Sequence, residues 1–460
     1  MPEAIGTANA ASERPSDPTS SSGALPRLYQ TSVAWYVVAL LFLYPYGIAL
    51  TPDVNLRFTD LVALVPLALG TMAVLLHGRI RIEPTLWTVI GLFVLFEMSA
   101  PIVGALGYRR PTDIVSAIRM AMLWLPMLLL TMLAHPLAAL RFEDQLARIL
   151  RWAIWVNLLY AGLQLGSVLG FVPRSMLLTE WLASYAVDRS YDIIQGIRPA
   201  GFFVRSTALS VFGIVCLCFF YARFVSSGQR RDLLYSLLAT GIVVLTTSRT
   251  AYAATAAILF AGWWHLSSDR KLALVAILGI AATTMLVVVE RTVGLELAFS
   301  RFQRLAETGL LEDASFGARF YEIWPTAIAA ARDYRLGTLI QSPRALPLID
   351  SGYLTYYLQG KWPFVLALAV LLVGHWYVGV RSFFGPRSRR LGVMIVYLAI
   401  FLTVALVISN PLRSPLVIVF IVFAFWRLAA ERGSVIVRAV PAAARPGNDA
   451  AIGSSRSPVR

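Results

Sequence analysis

Apolar runs long enough to cross a bilayer recur along the whole chain and constrain its fold more than any other feature. A spanning helix needs about 20 mostly apolar residues. Twelve such segments read from the sequence, at about 33–51, 58–76, 85–103, 113–134, 150–171, 202–222, 232–247, 250–266, 271–289, 361–380, 391–409 and 414–430. Charged residues make up only 14% of the chain against 58% hydrophobic ones. Soluble domains carry roughly 25% charge, so this chain has too little to cover a water-facing surface. The expected architecture is an all-α polytopic membrane protein with about 12 transmembrane helices, and its first partner is the lipid bilayer. Residues 1–32, rich in Ser, Pro and Ala, read as a disordered cytoplasmic N-terminus, and residues 431–460 as a disordered cytoplasmic C-terminus. Between them, 33–430 forms the transmembrane domain. The first apolar run has no small-residue cleavage site, so it reads as an uncleaved span.

A formal charge of +15 raises the question of nucleic acid. No basic run is interleaved with stacking aromatics in a soluble segment, so nucleic acid is not an expected partner. In membrane proteins, basic residues collect in cytoplasmic loops and set orientation. One set of alternating loops holds fourteen Lys and Arg residues, among them Arg79, Arg148, Arg223, Arg270 and Arg390, and the other side's short loops hold five. That bias places the first set and both termini in the cytoplasm. Cys216 and Cys218 lie on different faces of one apolar run, and His77, His135, His265 and His375 form no ligand-spaced cluster.

Two long connections, 172–201 and 290–360, then fall on the outer side. Loops of that length are seldom idle. In the second, Phe316, Phe320, Ile323, Trp324, Ala327, Ile328 and Ala331 recur at helical spacing, which predicts an amphipathic surface helix. Pro325 should kink it or mark its start.

The outer side also gathers arginines. Arg249 sits between two apolar runs in TTSRTAYAATAAILF, Arg205 in FFVRSTALSVFGIV and Arg119 in SAIRMAMLW. Arg198, Arg319 and Arg344 come from the long loops. A guanidinium stays charged in lipid and needs an anionic partner. Several at one depth would repel each other without a shared anion, and arginine forks match phosphate oxygens. A lipid-linked pyrophosphate entering sideways from the bilayer is the partner this pattern predicts. Asp350, in LIDSGYLTYYLQG, is the candidate proton acceptor, with a helix N-cap as its other reading. Glu322 and Tyr353 are further substrate-binding candidates. The sequence carries no Gly-rich phosphate loop, no DxD-like pair and no Ser/His/Asp set, so neither a metal nor a cofactor is expected.

Four pieces, IRPAGFFVRSTALS (197–210), TTSRTAYAATAAILF (246–260), GARFYEIWPTAIAAARDYRLG (317–337) and IDSGYLTYYLQGKWPF (349–364), occur in an order that resembles the bacterial O-antigen ligase and polymerase superfamily. That superfamily includes Wzy-type repeat-unit polymerases of surface polysaccharide and lipopolysaccharide ligases. The resemblance covers roughly the second half of the chain. It implies a GT-C-like, metal-independent glycosyltransferase of the bacterial inner membrane, with its site on the periplasmic face. Its donor would be a polyprenyl-pyrophosphate-linked oligosaccharide, and a chain-length regulator is a further implied partner. Arg249 and Arg205 would then hold the donor pyrophosphate, assisted by Arg198 and Arg319. Ligases carry a histidine at loop re-entry where Ile349-Asp350 stands here, so the resemblance points to a polymerase making exopolysaccharide or O-antigen. A ligase and a lipid-linked oligosaccharide flippase are the competing readings. At 339 and 363, where the family has glycines, this chain has Leu339 and Pro363.

Overall fold

The computed structural model describes residues 24–43, 45–51, 54–77, 79–82, 84–107, 112–133, 136–168, 170–177, 199–203, 205–246, 248–272, 274–275, 279, 317–339, 351–385, 389–432 and 435–438. Helices dominate: α1 (Ala24–Phe42), α2 (Phe58–His77), α3 (Pro84–Gly107), α4 (Thr112–Leu133), α5 (Pro136–Val168), α6 (Ser206–Ser227), α7 (Arg230–Leu245), α8 (Arg249–Trp263), the short α9 (Trp324–Ala330), α10 (Gly352–Phe383), α11 (Arg389–Ala405) and α12 (Pro415–Arg432). Five of the described helices are both long and apolar enough to cross a membrane: α2, α3, most of α5, α6 and α10. The molecule is therefore a helical protein suited to a bilayer.

Two small antiparallel ladders modify the all-helical expectation. β1 (Gly47–Thr51) pairs with β2 (Val54–Arg57), and β3 (Arg79–Ile82) pairs with β4 (Val435–Arg438). Several boundaries also move. α1 begins nine residues earlier than the expected 33 and stops at Phe42, where the β1–β2 hairpin takes over. The C-terminal stretch holds the last residues of α12 and β4. α5 starts at Pro136, so Arg141 and Arg148 lie in a helix about 50 Å long rather than in a loop. Most of the expected span at 271–289 and most of loop 172–201 fall outside the described residues.

Contacts between helix ends set the polarity of the bundle. Arg223 near the end of α6, Arg390 at the start of α11 and Arg427 near the end of α12 all reach Glu143 near the start of α5. His265, just past α8, meets the ring of Phe383 at the end of α10 at 4.4 Å. These groups mark one end, here called the basic end. Hence α6, α8, α10 and α12 all begin at the opposite end, where α3 finishes and α4 starts. α6 lies at the centre, with 83% of its apolar window buried against neighbours that include α7, α8, α11 and α12.

Backbone groups that proline would leave unpaired in lipid find side-chain donors. Pro126 inside α4 lacks the N–H that the Met122 carbonyl would otherwise accept. The Tyr36 hydroxyl donates to that carbonyl at 3.1 Å, and Tyr29 donates to the Pro126 carbonyl at 2.6 Å.

Candidate functional site

The opposite end carries Arg119, Arg205 and Arg249, and two of them rest on firmly built turns. Arg205 is the N-cap residue of α6. Just before it, backbone amides of Ala200 and Gly201 donate to Gln164 Oε1 at 3.0 and 2.9 Å, and that of Phe202 donates to Asn157 Oδ1 at 3.1 Å. Both amide side chains come from α5 and are fully enclosed. Gly201 adopts φ +59, and a Cβ there would sit 2.5 Å from Asn157 Oδ1, so this turn admits only glycine. Phe202 stacks on Tyr160 with centroids 4.4 Å apart. Residues 199–203 are thus a firmly held turn just ahead of Arg205 at the start of a central helix.

Arg249 is the first residue of α8, with Ser248 as its N-cap position. The α7–α8 turn is closed by Tyr252, whose hydroxyl donates to the Val244 carbonyl at 2.7 Å, and by Thr246, which donates to the Val243 carbonyl at 2.7 Å. α6 and α8 run parallel and pack against each other. Two half-buried guanidiniums therefore open two neighbouring helices at the same end. Helix N-termini carry unsatisfied N–H groups and a partial positive charge, so each adds to the anion affinity of its arginine.

The remaining sequence candidates separate. Arg119, in the second turn of α4, lies at the same end with its Nε 3.6 Å from Asp60 Oδ2. Asp60, which the sequence reading passed over, also accepts from the Arg57 amide at 3.1 Å and caps the start of α2. Tyr353 donates to the Thr403 carbonyl at 3.2 Å and anchors α10 to α11. Arg198, Arg344 and Asp350 lie outside the described residues. The N-cap of α10 is Ser351, which accepts from the Leu354 amide at 3.4 Å, so the capping reading of Asp350 is corrected.

Arg319 and Glu322 belong to a segment that differs from the predicted surface helix. Ala318–Ile323 forms a π-helical turn, and the α-helix begins only at Trp324 with Pro325 in its first turn. A π-turn adds a residue to the repeat, so one face read at 3.6-residue spacing across 316–331 does not survive. Ala327 and Ala331 are buried against Leu358, with Leu354 and Tyr357 beside them, whereas Phe320 and Ile328 stay exposed. Arg319 is half-buried and Glu322 exposed.

This segment is fastened to a break in α10. Gly360 and Lys361 leave helical geometry, Lys361 at φ 53 and ψ −150, just ahead of Pro363. The carbonyls released there are taken up across the gap: Leu358 accepts from the Thr338 amide and Gln359 from the Leu339 amide, each at 2.8 Å. Lys361 Nζ in turn donates to the Ala331 carbonyl at 2.8 Å. Gly337 at φ +84 lies so close to the Gln359 carbonyl that a Cβ would stand 2.5 Å from it. Backbone held in such sparsely populated regions costs on the order of 1–3 kcal/mol per residue and persists only where the surroundings over-determine it.

Beneath this clamp lies a polar cluster that the sequence reading missed. Glu97 of α3 is 3% exposed, and Tyr356 and Gln359 of α10 are equally enclosed. The Tyr356 hydroxyl hydrogen-bonds to Glu97 and lies 3.3 Å from Asn410 Oδ1. Arg413, just before α12, donates from Nη2 to Gln359 Oε1 at 2.9 Å and attracts Glu97 electrostatically. Glu97 Oε1, Asn410 Nδ2 and Arg413 Nε and Nη1 have no hydrogen-bond partner. Each such buried group costs about 1–3 kcal/mol. The signal was present in the sequence: one carboxylate inside the apolar run GLFVLFEMSAPIV.

No protein-family model and no curated protein matches the chain. The chemistry of this end has to be argued from its own residues.

Proposed function

We propose that the protein is a membrane glycosyltransferase that joins polyprenyl-pyrophosphate-linked oligosaccharide units into exopolysaccharide or O-antigen, working at the end of the bundle opposite the basic one. In a bacterial inner membrane that end would face the periplasm. The observation that carries this reading is the pair Arg205 and Arg249, each opening one of two parallel, adjacent helices. In the transfer, the terminal sugar hydroxyl of an incoming unit attacks the anomeric carbon of the growing chain. The bond from that carbon to the phosphate oxygen breaks, and its electron pair leaves on the pyrophosphate. Two arginines backed by two helix N-termini stabilise that developing charge without a metal. The segment 317–339 is clamped on the α10 break. Leu339 adopts φ 60, the left-handed region that glycine favours, at a position where the resembling family has glycine.

Purified wild-type protein and the Arg249→Ala variant, each in nanodiscs with the host's lipid-linked repeat unit, test this reading on a gel. The expected result is a ladder from wild type and none from the variant. A single transfer appearing only with a lipid A acceptor would make the protein a ligase. Lipid-linked units crossing liposomes with no product would replace the enzyme by a flippase.

A further inference from the structure

We propose that Glu97 receives the proton of the attacking sugar hydroxyl, and that Tyr356, Asn410 and Arg413 complete with it a subsite for that hydroxyl. The inference rests on the transfer reaction proposed above and names its acceptor side.

Atoms left without partners define what this cluster can take. Glu97 Oε1 is a spare acceptor, while Asn410 Nδ2 and Arg413 Nε and Nη1 are spare donors. A phosphate would face the Glu97 carboxylate and be repelled. An ammonium would face Arg413 and fare no better. A hydroxyl donates to the carboxylate and accepts from the guanidinium or amide with one oxygen, so it matches both kinds of spare group. Arg413 and Tyr356 are the charged and titratable groups that act on Glu97. Phe93 and Phe364 lie against Tyr356 with centroids 5.3 and 5.1 Å away, which keeps the subsite dry.

Position supports the same assignment. Asn410 and Arg413 precede α12 at the end of the bundle where Arg205 and Arg249 open their helices, and Glu97, midway along α3, reaches them through Tyr356. Gln359 joins the subsite to the segment 317–339: its side chain holds Arg413, and its backbone carbonyl holds the Leu339 amide. The backbone that holds 317–339 to the strained Gly360–Lys361 break therefore belongs to the same residue that steadies Arg413. As the hydroxyl oxygen bonds to the anomeric carbon, its proton passes to Glu97. The electron pair of the broken carbon–oxygen bond leaves with the pyrophosphate.

The experiment compares wild type, Glu97→Gln, Glu97→Asp, Asp350→Asn and an exposed-carboxylate control, Asp144→Asn, in nanodiscs with the lipid-linked repeat unit. General-base catalysis contributes typically about 10²–10⁴-fold. Glu97→Gln should lose at least about 100-fold in kcat on that basis, with KM changed only a few-fold. Glu97→Asp should recover part of the rate, and Asp144→Asn should match wild type. The wild-type rate should fall on acidification along a limb that Glu97→Gln lacks. Glu97→Gln within about twofold of wild type would overturn the inference, since that is far less than a base supplies. So would a loss confined to Asp350→Asn, which would give the proton to Asp350. Should Glu97→Gln fail to elute as a monodisperse species, a flat wild-type profile between about pH 5 and 8, the range where a carboxylate tuned for catalysis titrates, overturns it instead. A wild-type protein that forms no polymer removes the transfer reading itself, and the inference with it.

Discussion

Glu143 at the basic end and Glu97 midway along α3 are both buried glutamates on helices of the same bundle, yet their surroundings differ in kind. Glu143 Oε1 accepts from Arg223 at 2.8 Å and from Arg390, and Oε2 accepts from Arg427 at 3.0 Å. Four helices, α5, α6, α11 and α12, are thereby tied through one carboxylate, and Arg223 extends the network to Asp232 on α7. Glu97 meets one tyrosine and a more distant arginine, and one of its oxygens stays without a hydrogen bond. Saturated pairing fixes helices in place. Spare polar atoms beside a strained backbone break leave capacity for something that arrives from outside.

The largest effect expected from breaking this contrast is at the basic end. Glu143→Ala leaves three guanidiniums without their carboxylate and should destabilise the protein by about 3–5 kcal/mol, seen as a lower unfolding temperature and reduced yield in detergent. Next comes Arg249→Ala, for which loss of a charge-stabilising donor should reduce polymer synthesis by about 10²–10³-fold with elution and yield unchanged. A variant that unfolds instead would assign Arg249 to structure. Gly337→Ala should weaken the clamp by about 1–3 kcal/mol, because its φ and the nearby Gln359 carbonyl both oppose a side chain. Faster amide exchange over 331–339 is the readout, and unchanged protection would show that the clamp tolerates a Cβ.

Glu97→Gln sharpens the comparison from the other side. It keeps the shape and polar groups of a buried side chain that no hydrogen-bonded cation holds, so stability should change by less than about 1 kcal/mol. A loss as large as that of Glu143→Ala would make the two glutamates alike. Smallest of all is Arg119→Ala. Its ion pair with Asp60 is partly solvated and should be worth about 0–1 kcal/mol in a thermal melt.

Much of this was legible in the chain. The turn ahead of Arg249 was read from the SRT stretch, and Arg205 and Arg249, both picked from the sequence, open helices at one end. Of the two outcomes expected at Pro325, a kink or a helix start, the structure has the start of the α-helix at Trp324. The helix read around it is present over 318–330, but its apolar face was not legible, because a π-turn shifts the repeat and leaves no mark in residue spacing. Glu97 was passed over, although it is an isolated carboxylate in an apolar run, and its partners come from α10 and from the turn before α12. Nothing local to α3 names them.

What the sequence alone determined is the class of solvent and the unit of structure. Runs of apolar residues must become helices in lipid, since backbone groups there have no water to bond. Tertiary structure decided which charges meet. Whether a carboxylate finds three guanidiniums or an open subsite depends on the rotation and register of helices brought together from distant parts of the chain. Those are set by side-chain packing across the whole bundle, which no single run of residues encodes.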